Sequence, residues 1–258
     1  MFYDKESDFE DDLVAVLKRH GWTDGVLEYP TEQDLISNWA NILFDNNKGI
    51  DRLNGQRLTK GEMAQILEQI ETLRTPLALN SFINGKTVSI KRDNPKDEAH
   101  DGKEISRKIY DRQEIAAGQS RYQIARQPIY PAKNKMLNDR RGDICLLING
   151  MPVIHIELKR SDVPVSQATG QIEKYAHEGV FTGLFRLVQI FVGMTPDEAR
   201  YFANPGEGDF NDDYFFHWAD YNNEPIAANK HVGQDEWKRF ASDLLSIPMA
   251  HQLIGFYT

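Results

Sequence analysis

Asp143, Glu157 and Lys159 are the residues whose types and spacing could do chemistry. They lie in RGDICLLINGMPVIHIELKR, residues 141–160, where two apolar runs flank an Asn-Gly turn. Side chains alternate across a strand. In the second run Ile154, Ile156 and Leu158 take one face, and His155, Glu157 and Lys159 the other. In the first, Ile144, Leu146 and Ile148 share a face, opposite Asp143, Cys145 and Leu147. Both apolar sets must meet one core layer. A plain two-residue turn would pair Ile148 with Met151 and Asp143 with Ile156, which splits the apolar face. The pattern therefore predicts a three-residue or bulged connection, Ile148-Asn149-Gly150, with Leu147 opposite Met151 and Gly150 in the left-handed region. Asp143 then faces His155 and lies diagonal to Glu157, and both carboxylates converge with Lys159.

Two close carboxylates repel, and one is pushed to take a proton. A hard divalent cation such as Mg²⁺ removes that cost, since it prefers carboxylate oxygen and keeps several waters. A lysine beside it can orient or deprotonate a water, or stabilise charge on a phosphate. This is the equipment of metal-assisted phosphodiester hydrolysis. An Asp–Lys or Glu–Lys ion pair at a strand end accounts for the same three residues at this level.

The elements that must hold these groups are legible in the patterning. Phe9, Leu13, Val16 and Leu17 form a helical stripe over 5–20, with Gly21 as a stop. Leu35, Trp39, Ile42 and Leu43 do the same over 32–45, and Thr59 with Glu62 forms a capping box opening a helix to about Leu73. TVSIKR (87–92) and SRYQIARQPIY (120–130) alternate like strands around the polar loop DNPKDEAHDGKE. The hairpin at 142–158 follows, then a helix from about Val165 to His177, an apolar strand LVQIFVGM (187–194), a further strand at 198–203 and a helix over about Gln234–Leu245. The order predicts an α/β fold: a mixed central sheet with helices on its faces, and 22–85 as a helical insertion after the first helix.

Asp-x13-Glu-Leu-Lys across a hairpin resembles the PD-(D/E)xK nuclease signature, with Gly142 where a Pro usually precedes the Asp. Twelve residues after the ELK, QATGQIEKY holds Gln171 and Tyr175 on one helix face. They match the QxxxY motif of RecB-type nucleases. The string D-I-x-L-x-I-N-G-x-P-V-x-x-I-E-L-K, then Q-I-x-x-Y, is similar to the N-terminal nuclease region of the type I restriction enzyme R subunit. The similarity extends to SDFEDDLVAVLKRHGW, GLFRLVQIFVGMTPDEARYF and FFHWADYNNEPI. It implies a restriction-endonuclease-like core and one nuclease domain over 1–258. Residues 120–203 would form the catalytic sheet with the QxxxY helix, and 234–258 a C-terminal helix leading toward an absent motor. It implies Asp143 and Glu157 as metal ligands, Lys159 as the catalytic lysine, Gln171 and Tyr175 as DNA-positioning residues, and one more acid from the first helix, Glu10 with Glu6 as second choice. The metal would be Mg²⁺, with Mn²⁺ able to substitute. ATP would be used only by the full-length subunit. The implied partners are double-stranded DNA, the methyltransferase and specificity subunits, and the subunit's own helicase/translocase domains. The chain is expected to be a fragment ending where the nuclease region ends.

Composition bounds these readings. The 258 residues are 40% hydrophobic and 27% charged, an ordinary globular balance. No apolar run approaches a membrane span, the start is acidic rather than signal-like, and one cysteine excludes an internal disulfide, so a cytoplasmic protein is expected. A net charge of −9 argues against a nucleic-acid partner taken alone, but residues 103–141 carry ten Lys/Arg against four Asp/Glu. NGKT (84–87) lacks the first Gly and the strand of a phosphate-binding loop. The seven histidines form no H-x-x-x-H, against a catalytic zinc. Cys145 reads as a small core hydrophobe, Trp39, Trp218 and Trp237 as core, and His155 as either a substrate contact or a packed neutral ring. Two rivals stand beside the nuclease: a non-catalytic DNA-holding or docking module of the same complex, and a structure-specific repair DNase.

Overall fold

The computed structural model describes residues 1–47, 53–85, 87–109, 120–132, 138–228, 230 and 235–257. Helix α1 (Glu6–Arg19) ends where Gly21 takes φ +108°. Strand β1 (Val26–Glu28) leads into α2 (Glu32–Asn47), α3 (Lys60–Glu71) and α4 (Pro76–Asn84). The capping box forms: Thr59 Oγ1 accepts from Glu62 N, and Glu62 Oε2 accepts from Thr59 N. Strands β2 (Thr87–Lys91) and β3 (Glu104–Lys108) pair as a separate hairpin. They are followed by β4 (Tyr122–Arg126), β5 (Ile129–Tyr130), β6 (Arg140–Arg141), β7 (Ile144–Ile148) and β8 (Met151–Leu158). Next come α5 (Ser166–His177), β9 (Ile190–Met194), β10 (Ala199–Ala203), β11 (Trp218–Ala219), β12 (Pro225–Ile226), α6 (Glu236–Asp243) and α7 (Ile247–Gln252).

Six strands form the central sheet in the order β1-β4-β7-β8-β9-β10. It is mixed: β1 runs parallel to β4 and β8 to β9, while the other pairs are antiparallel. Strands β7, β8 and β9 are buried along their whole length, so this is a sheet covered on both faces. Helix α5 is the crossover between parallel β8 and β9, and it lies against both. The contact is close because a Cβ on Gly193 of β9 would stand 2.8 Å from Thr169 Cγ2.

Several expectations need correction. The segment 22–85 is helical but also supplies β1, an edge strand of the central sheet. The run 120–130 is two strands, broken where Gln127 takes φ +49°. The polar stretch after β2 ends inside β3, a pairing hidden by its charged residues. The apolar run 187–194 is a strand only from Ile190, since Gly183–Leu187 forms a 3₁₀ turn. The C-terminal helix starts at Glu236; Gln234 lies outside the described residues. The basic stretch 103–141 is only partly open among the described residues, where Lys103, Arg121 and Arg141 are exposed. Arg107 is buried, and Arg121, Arg126 and Arg140 pair with Asp45, Glu10 and Glu178. Residues 110–119 and 133–137 of that stretch lie outside the described ones.

The hairpin that matters most solves its register differently from the expectation. Ile148 pairs with Met151 across a plain two-residue turn, with Asn149 at φ +52° and Gly150 at φ +84°. These are the positive values that an Asn-Gly turn of this kind favours. Parity is restored two residues further in by a bulge between Leu146 and Leu147, after which Leu146 pairs with Ile154, Cys145 with His155 and Ile144 with Ile156. Continuing that register sets Asp143 against Glu157 rather than against His155. A Cβ at Gly150 would meet Trp39 Cα at 2.9 Å, in a conformation that L side chains avoid. Gly150→Ala is therefore expected to destabilise the fold by about 1–3 kcal/mol, read as a lower urea midpoint at unchanged slope. An unchanged midpoint would show that the turn relaxes freely.

Candidate active site

The site forms where the start of β7, the end of β8 and one face of α5 meet. Glu157 is 1% exposed and its carboxylate takes contacts on several sides. Gln171 Nε2 donates to Glu157 Oε1, and Lys159 Nζ lies 3.6 Å from the same oxygen. The other oxygen, Oε2, is buried without a hydrogen-bond partner, 3.4 Å from His155 Nε2. Asp143 Oδ2 accepts from the backbone N–H of Leu158 at 2.7 Å, which locks the carboxylate across the end of the hairpin. Lys159 Nζ donates to the Leu158 carbonyl at 2.8 Å and lies 3.7 Å from Glu6 Oε1.

Helix α5 presents its polar pair as the four-residue spacing demands. Gln171 Nε2 also donates to Tyr175 Oη at 2.8 Å, and Tyr175 donates to the Arg141 carbonyl at 3.0 Å. Tyr175 thereby ties the helix to the segment that carries Asp143. Nearby, Arg140 clamps Glu178 with two bonds, at 2.6 and 2.8 Å.

The electrostatics follow from burial. Burial pushes the Asp143 carboxyl well above the usual range, and the neighbouring Glu157 charge pushes it further. Burial raises Glu157 to about 7, against the pull of Lys159. Burial likewise lifts the Tyr175 hydroxyl to about 12. Two carboxyls raised in the folded state bind protons there that the unfolded chain has released. For Glu157 the contribution is fully present below the unfolded value of 4.5 and is lost as pH rises toward about 7. The metal-free protein is therefore expected to lose thermal stability between about pH 4.5 and 7.5, and Glu157→Gln to flatten that slope. Equal slopes in differential scanning calorimetry would show that Glu157 does not titrate in this window.

The structure brings Asp143, Glu157, Lys159, Gln171 and Tyr175 together. It holds Glu10 elsewhere: its carboxylate takes bonds from Arg126 and from Gln127 Nε2, the latter at 2.9 Å. Glu6, one turn earlier, is the first-helix acid that reaches Lys159. The sequence reading did not single out Tyr130, whose hydroxyl meets His155 Nδ1 at 2.8 Å. No local signal marks it, because the contact is made only by folding β5 against β8. Cys145 in β7, Trp39 in α2 and Trp237 in α6 are wholly buried, while Trp218 is half-buried. Among the described residues no three His, Cys, Asp or Glu side chains gather as a metal-holding group. Oxygen donors for a cation at this place are the Asp143 and Glu157 carboxylates and the Leu158 carbonyl. Among the described residues no helix is long and apolar enough to cross a membrane.

A mixed sheet covered by helices, with two buried carboxyls and a lysine at the end of its central hairpin, is the class of protein met here. Residues 6–210 match the family model described as type I restriction enzyme R protein N terminus, and the chain belongs to that family. It is 30% identical over 230 residues to the type I restriction enzyme SsaAORF53P endonuclease subunit of Staphylococcus saprophyticus, an alignment covering 88% of this chain and 22% of the relative. It is 27% identical over 230 residues to the SauCOLORF180P endonuclease subunit of Staphylococcus aureus, with the same coverage. The EcoprrI endonuclease subunit of Escherichia coli is 28% identical over 221 residues, covering 79% of this chain and 66% of that protein. The chain thus spans about a fifth of the length of the staphylococcal relatives it matches.

Proposed function

We propose that this chain is the metal-dependent DNA endonuclease domain of a type I restriction R subunit, built on a PD-(D/E)xK core. In the whole enzyme it would hydrolyse phosphodiester bonds of unmodified double-stranded DNA after ATP-driven translocation by motor domains of the same subunit. Its partners there would be the methyltransferase and specificity subunits, in the cytoplasm. The observation that carries this reading is the buried Glu157 carboxylate with one oxygen unpartnered, beside Asp143 and Lys159. Burying such a group costs several kcal/mol unless something balances it, and a docking surface has no use for that cost.

The donor set fits a hard cation. All three candidate ligands are oxygens, two are carboxylates, and Glu157 Oε2 keeps a lone pair for a cation even where His155 Nε2 takes the other. Asp143, Glu157 and the Leu158 carbonyl would hold Mg²⁺, or Mn²⁺ in its place. When bound, the cation supplies positive charge at the phosphate and acidity to a coordinated water. Lys159 holds its ammonium beside Glu157, where it can orient water or take the charge of a phosphate oxygen. Gln171 and Tyr175 offer an amide and a hydroxyl on one helix face to the DNA backbone. Of the first-helix acids, Glu6 is the one this reading places near the reacting groups, since Glu10 is committed to Arg126 and Gln127.

Calorimetric titration of Mn²⁺ into the parent chain and into Asp143→Ala tests the reading. Uptake of metal by the parent, lost or weakened at least tenfold in the variant, is the expected outcome. A parent that takes up no Mn²⁺ would remove the metal centre and leave the docking module as the better account.

A further inference from the structure

His155 is a buried imidazole behind the site that the proposed chemistry does not use. It is 0% exposed and stands among the rings of Tyr130, Phe181 and Phe191. An imidazole in such surroundings costs free energy unless both nitrogens are satisfied. Nδ1 has a partner, the Tyr130 hydroxyl at 2.8 Å. Nε2 has none within hydrogen-bond geometry, and neither does the atom it faces, Glu157 Oε2, 3.4 Å away. Two buried orphans of complementary type facing each other need one explanation rather than two.

The sequence around the pair is shaped to keep it. Gly142 lies one residue before Asp143. A Cβ there would come within 2.8 Å of His155 Cε1 and of Tyr130 Oη, and within 2.7 Å of Tyr130 Cε2. The missing side chain leaves the volume that the Tyr130–His155 pair fills. Tyr130 is itself fully buried, so it cannot swing aside.

We propose, resting on the metal-site reading above, that His155 is a positioning residue: Tyr130 donates to Nδ1, Nε2–H then points at Glu157 Oε2, and the carboxylate is fixed for the cation. The neutral ring has one N–H, and the hydrogen bond at one nitrogen decides which nitrogen carries it. A Tyr130 hydroxyl that donates makes Nδ1 the acceptor and leaves the proton on Nε2. With Gln171 on Oε1, Glu157 would then be gripped on both oxygens while lone pairs remain for a metal. Partners that orient a metal-binding carboxylate typically govern 10–100-fold in metal affinity.

Two measurements test this. Long-range ¹H–¹⁵N spectra of the Mg²⁺-loaded protein at pH 8 are expected to report the Nε2–H tautomer for His155; the Nδ1–H tautomer would overturn the assignment. Mn²⁺ calorimetry on His155→Leu is expected to give binding weakened on the order of tenfold to a hundredfold. His155→Gln, which can still donate an N–H toward Oε2, should stay within about threefold of the parent. Tyr130→Phe keeps both rings and removes only the hydroxyl, so it guards against misfolding in His155→Leu, and it should also weaken binding. A parent that binds Mn²⁺ while His155→Leu and Tyr130→Phe bind equally well would overturn the role of His155 alone. A parent that binds none overturns the metal-centre reading beneath it.

Discussion

In the reconstituted restriction complex, Asp143→Ala and Glu157→Ala are each expected to lower double-strand cleavage by about a thousandfold or more. ATP hydrolysis and translocation should persist near the parental rate. The size of the effect follows from what is removed. A cation at a phosphoryl centre contributes several kcal/mol of charge stabilisation, and each 1.36 kcal/mol is tenfold in rate. On the proposed function, losing one of two carboxylate ligands would forfeit most of that. The selectivity follows from placement, because both residues sit at the end of the β7–β8 hairpin, in a sheet with its own core. Removing a raised carboxyl also relieves a buried charge, which offsets the loss of the Leu158 N–H and Gln171 contacts, so both variants should remain folded at pH 8. That separates a lost ligand from a lost fold. A plasmid-cleavage time course beside an ATPase assay reads the first claim, and thermal unfolding reads the second. Parental cutting by either alanine variant would make the carboxylates structural.

The residues that could hold a metal were legible in the sequence because strand parity is a local rule. Odd positions 143, 157 and 159 share a face whatever the turn, provided one residue is absorbed somewhere. Where it is absorbed was not legible. The Asn-Gly turn keeps its two-residue form, and the extra residue is Val153 of β8, bulged opposite Leu146 and Leu147, where burial on both faces leaves no polar marker. The helix positions of Gln171 and Tyr175 were legible for the same reason, being one turn apart. The first-helix acid was not. Glu6 and Glu10 are also one turn apart, so patterning ranks them equally, and only the packing of α1 decides which carboxylate meets Arg126 and which meets Lys159. Only the first strand of the β2–β3 hairpin is legible, because Arg107 looks like a surface charge yet lies in the core.

The α5 pair should divide metal binding from catalysis. Tyr175 is neutral, and its hydroxyl touches Gln171 and the Arg141 carbonyl rather than either carboxylate. Tyr175→Phe is therefore expected to bind Mn²⁺ within about threefold of the parent, yet to cut about a hundredfold more slowly. Misplacing the scissile strand by about an ångström can cost that much. On the proposed function Lys159→Ala should share this phenotype, since it would remove charge and water positioning rather than an oxygen ligand. Gln171→Ala is the more informative change. Its amide holds Glu157 Oε1, so the same slow cutting should come with a measurable shift in Mn²⁺ affinity. The order of metal binding should then be parent, Tyr175→Phe and Lys159→Ala together, Gln171→Ala below them, and Glu157→Ala last. Calorimetry on each variant beside cleavage by the reconstituted complex gives that order directly. If Tyr175→Phe loses metal binding, the helix supports the metal centre and has no separate hold on DNA. If Gln171→Ala cuts at the parental rate, the helix contributes neither, and its two polar groups serve only to seat α5 against the sheet.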